Sequence, residues 1–452
     1  MKGISPVRLF WLCLHTWWQF WWVIFTRIFQ GNRGNSAALA GDGLLHGTSY
    51  ELRALGYIII PKTFGSLLKL VFRNSSHVVE NAEGKPGVSI YDARPEGAEL
   101  RWPFIEFYAK EKPSSLFAQV NMLFSLNIFH KIIFLLFLPS FLLPSLLVGL
   151  FPKYRANAAL WVYEYVRACN LRILARMYAT QRIYYFCIYV KESNFCARLL
   201  MHDGVEVIKI TSESPLTFFN RQIVANKVVL CIPYQKEELA QFGSTILTDS
   251  VEIWAPEQTL KHVFRYAEKD RPTPPKTLGL YTSGGWRRIE RYDSDMGLGY
   301  HESEVLLHTH LRAYLEARPD VQLILFTHPI EKDTPERFVK AQTLYRDLIG
   351  ERIQFAAPEV RTSQAFEQVD VAVSIFSVVM YDRLISGFKS VLAPYEIIDF
   401  PIPNTNLAGI AAKSESELFR LLDEALGMET PAWFEKKGFS DWIFNGDQSR
   451  YQ

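Results

Sequence analysis

The amino-acid sequence predicts an α/β protein with two lobes, preceded by a helical region that associates with a membrane. Three observations support this architecture. Apolar runs of strand length alternate with helical patterns from residue 156 onward, as in parallel sheets covered by helices. A polar, proline-rich stretch at residues 256–277 divides this alternation into two parts. Two long apolar segments, residues 9–29 and 132–151, lie in the first third of the chain.

Length, charge and cysteine spacing limit the possible functions. The chain has 452 residues, which is enough for two or three domains. Its 49 basic and 47 acidic residues give a net charge of +2, so the overall charge gives no reason to expect nucleic-acid binding. The five cysteines include no C-x-x-C pair. They therefore predict reduced thiols, with no zinc cluster and no disulfide framework.

Residues 132–151 form the more apolar of the two segments. Their only polar side chains are Ser140 and Ser145, and a helix of this length reaches about 30 Å, the thickness of a hydrocarbon core. Pro139 and Pro144 interrupt the helical hydrogen bonds. We therefore expect a kinked span or a re-entrant segment, and the alternative is a buried hairpin of a water-soluble domain.

Residues 9–29 are rich in aromatic side chains and less apolar, because they include His15, Gln19 and Arg27. Their tryptophans are Trp11, Trp17, Trp18, Trp21 and Trp22. Tryptophan favours the boundary between lipid headgroups and hydrocarbon, so this segment either spans the membrane or lies flat in its interface. We assign residues 1–155 to a membrane-associated region. The part between the segments is a soluble insertion or contributes to the first lobe.

The remaining sequence divides into a first lobe at residues 156–255, the linker at 256–277, a second lobe at 278–430 and a C-terminal tail at 431–452. For the first lobe we predict a helix at 156–180 and strands at 183–190, 205–211, 228–232 and 251–254. For the second lobe we predict strands at 278–282, 321–326, 353–356, 371–374 and 390–393, and helices at 301–317, 336–349, 362–368, 378–386 and 414–426.

Three strand ends of the second lobe carry residues suited to a phosphorylated ligand. In open parallel sheets, ligands bind beyond the carboxyl ends of the strands. We therefore expect these ends to converge on one site. The candidate binding residues are Ser283, Gly284, Gly285 and Arg287 after the first strand, His328 after the second, and Ser374 and Ser377 at the end of the fourth.

Each residue type has a chemical reason to bind phosphate. Glycines allow close approach of backbone N–H groups to an anion, and Arg287 offers charge-assisted hydrogen bonds. A helix that starts at Ser377 presents N–H groups and a positive dipole end. His328 can donate to a phosphate or a leaving group, which makes it the candidate catalytic residue. Taken alone, each feature has a structural alternative. The glycines can form an ordinary tight turn, His328 can be a structural histidine, and Ser377 can be an ordinary N-cap.

The pair His328-Pro329, followed by Ser377-Val378-Val379-Met380-Tyr381-Asp382, resembles the C-terminal domain of GT-B glycosyltransferases that make bacterial surface polymers. It is similar to the CDP-glycerol glycerophosphotransferase and capsule polymerase group, over roughly residues 278–428, although Phe376 stands where that group has serine. The resemblance implies two Rossmann-like lobes in a GT-B-like fold. It also implies that these residues hold the nucleotide phosphates. Ser374 and Asp382 replace the two glutamates of many retaining enzymes, which favours an inverting mechanism.

The function we expect is transfer of a sugar or polyol phosphate from a nucleotide-diphosphate sugar or CDP-polyol to a lipid-linked or cell-surface glycan acceptor. The enzyme would sit at the inner (cytoplasmic) membrane with its catalytic domain in the cytoplasm. We expect no metal and no cofactor, since the helix dipole and cations can neutralise the leaving diphosphate. A nucleotide-sugar epimerase on the same fold and a non-catalytic membrane scaffold of polysaccharide assembly are the alternatives. Seven residues are alternative candidates for the base that activates the acceptor: His202, Asp203, Glu213, Asp293, Asp295, His301 and Glu302.

Overall fold

The chain divides into two compact units, of which the first holds most of residues 1–252 and the second holds residues 253–452 with two short earlier pieces. The computed structural model describes residues 4–30, 77–92, 105–106, 108–118, 132–133, 136–137, 139–141, 155–186, 192–210, 222–230, 245–253, 276–292, 300–360, 362–396 and 405–442. The two units are described separately below.

The first unit is built on a sheet of seven strands, covered in part by long helices. Its helices are α1 (Pro6–Gln30), α2 (Arg155–Met177) and α3 (Glu192–His202). Its strands are β1 (His77–Glu80), β2 (Lys85–Asp92), β3 (Pro113–Ala118), β4 (Arg182–Tyr185), β5 (Glu206–Ile210), β6 (Gln222–Val224), β7 (Lys227–Leu230), β8 (Thr245–Leu247) and β9 (Ser250–Ile253). The seven strands follow the order β1-β3-β2-β4-β5-β7-β9, and β6 and β8 pair separately.

Strands β1 to β3 belong to this sheet although they precede residue 155. β2 pairs in parallel with both β3 and β4, while β1 pairs antiparallel with β3. Val88 and Ile90 of β2 are buried in the same core as the later strands. The sheet therefore continues across the boundary expected at residue 155, and residues 77–118 supply strands to the first lobe.

Helix α1 contains the first apolar segment and packs on the body of the first unit. Its buried side includes Leu12, Phe20 and Val23, and the Phe20 ring lies edge-on to Phe195 of α3, with ring centroids 5.5 Å apart. No helix in the described part of the chain is both long enough and apolar enough to cross a membrane.

The second apolar segment, residues 132–151, is described only at residues 132–133, 136–137 and 139–141, so most of that prediction lies outside the described residues. The described part contacts α1. The Phe141 ring lies 4.9 Å from that of Phe20, and Trp17 Nε1 donates to Ser140 Oγ at 2.6 Å.

The second unit is a five-stranded sheet with helices between the strands. Its strands are β10 (Thr277–Tyr281), β11 (Gln322–Phe326), β12 (Ile353–Phe355), β13 (Val371–Ser374) and β14 (Lys389–Leu392). Its α-helices are α4 (Gly285–Tyr292), α5 (Tyr300–Ala317), α6 (Pro335–Ile349), α7 (Val378–Ile385), α8 (Thr405–Ala408), α9 (Glu415–Gly427) and α10 (Thr430–Lys437). Short 3₁₀ helices occupy Pro329–Glu331, Thr362–Gln368 and Ser440–Trp442. The strand order is β12-β11-β10-β13-β14, and all four neighbouring pairs are parallel.

The sequence pattern explains why the elements of this unit begin and end where they do. β10, β13 and β14 are buried along their whole length, as expected for central parallel strands with both faces covered. Thr334 and Ser414 cap α6 and α9 with their hydroxyl oxygens. The five predicted strands and five predicted helices of this lobe are confirmed with ends within one residue, and residues 362–368 form a 3₁₀ helix.

A buried ion pair holds the three helices of the first unit together. Arg172 of α2 donates from Nε and Nη2 to the Asp203 carboxylate, which directly follows α3, at 2.6 and 2.5 Å. Its Nη1 donates to Thr16 Oγ1 of α1 at 2.8 Å. Burial raises the pKa of Asp203, but the hydrogen bonds from Arg172 together with the charges of Arg172 and Arg176 hold the pKa below its usual range.

We predict that Arg172→Met lowers the free energy of unfolding of the first unit by about 3 kcal/mol, because it leaves a mostly buried carboxylate without its main partner. Arg176→Met is the matched control: Arg176 is 3.6 Å from the same carboxylate but 44% exposed, so we expect a loss of less than about 1 kcal/mol. Equilibrium urea unfolding measures both. Equal effects of the two changes would contradict the assignment.

Candidate functional site

The three strand ends singled out in the sequence are neighbours in the second sheet. β10 lies between β11 and β13, and all three run in the same direction. The chain runs from β10 to β11 and β12 on one side of β10, and then returns to place β13 and β14 on the other side. A change of direction of this kind opens a crevice at the carboxyl ends of the strands.

A side-chain hydrogen bond joins the turn after β10 to the turn after β13. Ser283 Oγ donates to the carbonyl oxygen of Phe376 at 3.0 Å, one residue before Ser377, which occupies the N-cap position of α7. Ser283 itself is only 6% exposed. Its side chain therefore ties two strand ends together and offers little surface to a ligand.

The turn after β10 also contacts the turn after β11. Gly284 has a φ of +70°, in the left-handed region that favours glycine. A Cβ at this position would lie 2.8 Å from Ile330 Cδ1 and 3.4 Å from His328 Nδ1. Glycine is therefore required here by both backbone conformation and space. The turns that carry Gly284, His328 and Ser377 lie side by side.

A buried carboxylate fixes the turn after β11. Glu331 accepts hydrogen bonds from Thr282 Oγ1, from the His328 N–H at 2.8 Å and from the Tyr345 hydroxyl at 2.6 Å. Burial raises the pKa of Glu331 above its usual range. The hydrogen bonds from Thr282, Tyr345 and the His328 backbone offset only part of this rise. Glu331 thus links the first residue after β10 to the histidine after β11.

A second buried carboxylate fixes the glycine turn. Glu304 of α5 accepts the N–H of Ser283, and the N–H of Gly285 at 2.7 Å. Gly285 is needed for this approach, since a Cβ there would lie 2.6 Å from Glu304 Oε2. Two of the backbone N–H groups that were expected to cradle a ligand phosphate therefore donate to Glu304, a side chain of the protein itself.

His328 is half-buried and caps the short helix Pro329–Glu331. Its Nδ1 accepts the N–H of Ile330 at 3.3 Å. An accepting Nδ1 places the proton of the neutral ring on Nε2, so Nε2 is the donor nitrogen of this ring.

Helix α7 begins beside the turns that carry Gly284 and His328, and Arg383 bonds it to the core. Ser377 has extended backbone angles, and its side chain forms no capping hydrogen bond, so the first turn of α7 lacks the partner that an N-cap residue usually supplies. Phe376, Ser377 and Val378 are half-buried, whereas Arg383 is fully buried and donates to the Phe366 carbonyl at 2.9 Å.

Two further candidates, Arg287 and Ser374, differ in their surroundings. Arg287 Nη1 lies 3.2 Å from Glu290 Oε2, one turn along α4, and stays half-buried. Ser374 is fully buried as the last residue of β13, so its side chain belongs to the core and not to a ligand surface, contrary to the expected binding role. The residues left at the surface of the cluster are His328, Arg287 and the start of α7.

The candidate acceptor bases are divided between the units. In the first unit, His202 lies against His15, with ring centroids 4.7 Å apart, and Asp203 is paired with Arg172. In the second unit, His301 and Glu302 lie in the first turn of α5, and Glu302 is exposed. Glu213, Asp293 and Asp295 lie outside the described residues.

Sequence reasoning missed Glu304 and Glu331, although each leaves a trace in the sequence. Glu304 lies three residues before Leu307 and seven before Leu311, on the apolar stripe of α5. Glu331 follows His328 by three residues, which is the spacing of a capping box. Among the described residues, no group of three His, Cys, Asp or Glu side chains could hold a metal ion.

Comparisons with known proteins give structural matches only, because no family model and no curated sequence matches the chain. The S. aureus protein MnaA, solved with UDP, is 10% identical over 80% of this chain and 93% of its own, with a TM-score of 0.49. A UDP-GlcNAc 2-epimerase from Neisseria meningitidis, bound to UDP-GlcNAc, is 9% identical over 80% and 97%, with a TM-score of 0.46. An O-GlcNAc transferase from Thermobaculum terrenum is 11% identical over 99% and 82%, with a TM-score of 0.36.

We predict that Glu304→Gln lowers the free energy of unfolding of the second unit by about 1–3 kcal/mol, because an amide cannot accept both buried N–H groups as a carboxylate does. Glu302→Gln, two residues earlier and exposed, is the control and should change stability by less than about 0.5 kcal/mol. Denaturant unfolding followed by circular dichroism measures both variants. A neutral Glu304→Gln would show that the turn does not depend on this carboxylate.

We also predict that Gly284→Ala destabilises the second unit more than Gly438→Ala does. Both glycines have nearly the same φ, +70° and +71°, so the backbone cost of about 1–2 kcal/mol is shared. The added methyl at 284 meets Ile330 at 2.8 Å, whereas the one at 438 meets only the side chain of Asn406, at 3.2 Å. Overpacking should add about 1–3 kcal/mol at 284 alone. Thermal unfolding of the two variants tests this, and equal losses would refute the crowded arrangement.

Proposed function

We propose that the chain is a membrane-associated glycosyltransferase that transfers a sugar or polyol phosphate from a nucleotide-activated donor. The observation that carries this proposal is the meeting of three adjacent strand ends at the switch point of the second sheet. There the Ser283 hydroxyl bonds the carbonyl before Ser377, and Gly284 lies against His328. A crevice of this kind is where open parallel sheets bind nucleotides.

In this proposal the donor diphosphate binds at the start of α7. The first-turn N–H groups of α7 lack a side-chain cap, and they carry the positive end of the helix dipole. His328 lies on the neighbouring strand end, and Nε2 is the ring nitrogen that would donate to the diphosphate. Arg287 can reach the same anion by exchanging Glu290 for it, because the Arg287–Glu290 pair lies within one helix and is partly solvated.

Transfer then follows from stabilisation of the leaving diphosphate. With a nucleotide sugar, the bond between the sugar carbon and the phosphate oxygen breaks, and negative charge develops on the leaving nucleoside diphosphate. With a CDP-polyol, the phosphoanhydride bond breaks, the polyol phosphate passes to the acceptor and CMP leaves. In both cases fixed N–H dipoles and a donating histidine stabilise the leaving phosphate without reorganisation. The acceptor hydroxyl attacks from the opposite face of the sugar, which gives inversion, and a base removes its proton. The helix terminus and the two side chains supply the positive charge, so the proposal includes no resident metal or cofactor.

The acceptor we propose is a lipid-linked or cell-surface glycan, reached at the inner (cytoplasmic) membrane with the catalytic domain in the cytoplasm. The donor is a nucleotide-diphosphate sugar or a CDP-polyol. The concentration of apolar and aromatic residues in the first third of the chain supports an acceptor held at a membrane.

We predict that a nucleoside diphosphate stabilises the protein and that the start of α7 is its binding site. UDP, CDP and GDP are compared by thermal shift and calorimetry. A diphosphate at tenfold over its Kd should add about 1.4 kcal/mol. Val378→Pro removes the first N–H of α7 while proline suits that helix position, and it should weaken binding about tenfold. His328→Ala should have a similar effect.

Glu415→Pro provides the matched control, because it makes the same change at the first residue of α9 behind the Ser414 cap. It should leave diphosphate affinity unchanged. A Val378→Pro variant that folds and binds as tightly as the native protein would place the diphosphate elsewhere. No stabilisation by any of the three nucleotides would favour the scaffold alternative.

Product analysis separates a transferase from an epimerase. A transferase releases the nucleoside diphosphate of a nucleotide sugar, or CMP from a CDP-polyol, only when an acceptor is supplied, whereas an epimerase changes the free nucleotide sugar without acceptor. Incubation with UDP-GlcNAc alone, followed by nuclear magnetic resonance, should show an unchanged sugar. Interconversion of epimers without acceptor would overturn the transferase proposal.

A further inference from the structure

Helix α1 has two chemically different faces. Residues that face the body of the first unit repeat with helical spacing. These buried residues are Leu9, Leu12, Cys13, Thr16, Phe20, Val23 and Ile24. The opposite side of the same helix carries the exposed residues Val7, Phe10, Trp11, Trp18, Trp22, Phe25, Ile28 and Phe29. We call these eight residues the outer face of α1.

The outer face is unusual for its apolar content. Eight of the eleven exposed large apolar side chains in the described part of the chain lie on it. Two more, Ile132 and Leu136, are 51% and 62% exposed in the segment that packs beside α1 through Phe137 and Phe10. Water-soluble surfaces rarely gather so many large apolar groups, and such patches mark interaction sites.

The inner face shows that α1 is fixed to the first unit by polar bonds. Arg172 donates to Thr16 Oγ1 at 2.8 Å, and Arg198 donates to Gln19 Oε1 at 2.6 Å. Moving α1 into the bilayer as a span would break these bonds and remove the acceptors of Arg172 Nη1 and Arg198 Nη1. The helix therefore meets a membrane while it stays on the protein body.

Charge and composition favour a lipid surface as the partner. The first 41 residues contain Lys2, Arg8, Arg27 and Arg33 and no acidic residue. Anionic headgroups attract a basic segment, and tryptophan rings favour the headgroup boundary. A helix of 25 residues lying in the interface offers about 37 Å of this surface.

We propose that α1 lies flat in the surface of an anionic bilayer, with its outer face inserted and its inner face bonded to the first unit. This arrangement rests on the membrane association of the proposed function and specifies its surface and its lipid. It does not depend on the nucleotide site, which the diphosphate experiments test separately.

The test uses sedimentation of the full chain with vesicles of phosphatidylcholine, alone or with one quarter phosphatidylglycerol. The native protein should bind the anionic vesicles more tightly, and added salt should weaken this preference. The triple variant Trp11→Gln, Trp18→Gln, Trp22→Gln should bind the vesicles more weakly by a factor on the order of ten or more, because it removes three rings that are 41–61% exposed. Val339→Gln, at an exposed apolar residue of α6, is the control and should bind as the native protein does.

Three outcomes would overturn the proposal. A triple variant that folds normally by circular dichroism and keeps native vesicle affinity would place the membrane contact elsewhere. Bound protein that resists extraction by alkaline carbonate would be spanning rather than flat. A dimer in light scattering that the triple variant dissociates, without vesicle binding, would make the outer face an interface between copies. UDP affinity is measured for each variant, so that loss of vesicle binding is distinguished from loss of the nucleotide site.

Discussion

Two buried carboxylates hold the turn after β10, and the geometry of the candidate site depends on them. Glu331 binds the Thr282 hydroxyl, and Glu304 binds the N–H groups of Ser283 and Gly285. A carboxylate inside a protein needs donors to replace its lost water, and here the turn itself supplies them. The turn is therefore fixed before any ligand arrives. Preorganisation of this kind lowers the entropic cost of binding.

The same arrangement decides where an external anion can go. An N–H group that donates to Glu304 is not available to a phosphate, so the glycine turn acts as a support for its neighbours. The start of α7 has the opposite character, because Ser377 leaves its first turn without a side-chain cap. The proposed site thus uses the turn after β10 for rigidity. It uses the ends of β11 and β13, with His328 and α7, for contact with the ligand.

The sequence predicts the second unit closely because its signals are local. Strands such as Val371–Ser374 are apolar on both faces, and caps such as Ser414 mark helix ends within one residue. The neighbouring strand ends follow from the strand order that such folds adopt. The role of Glu304 was not predicted, because a single carboxylate on an apolar stripe does not reveal its partners, which precede it by 19 and 21 residues. β1 and β3 were missed because their sequences, HVVE and PSSLFA, are partly polar and carry no clear strand pattern, so that only their pairing defines them.

Helix α1 shows the limit of hydropathy as a guide to membrane contact. Thr16 and Gln19 lower the mean hydropathy of this segment and so count against a membrane-spanning helix. In the structure both accept hydrogen bonds from arginines of the first unit. The exposed tryptophans lie on the opposite side of the helix. Arg172 also binds Asp203 at the end of α3, directly before β5. A membrane that binds the outer face therefore orients α2, α3 and the sheet of the first unit together with α1.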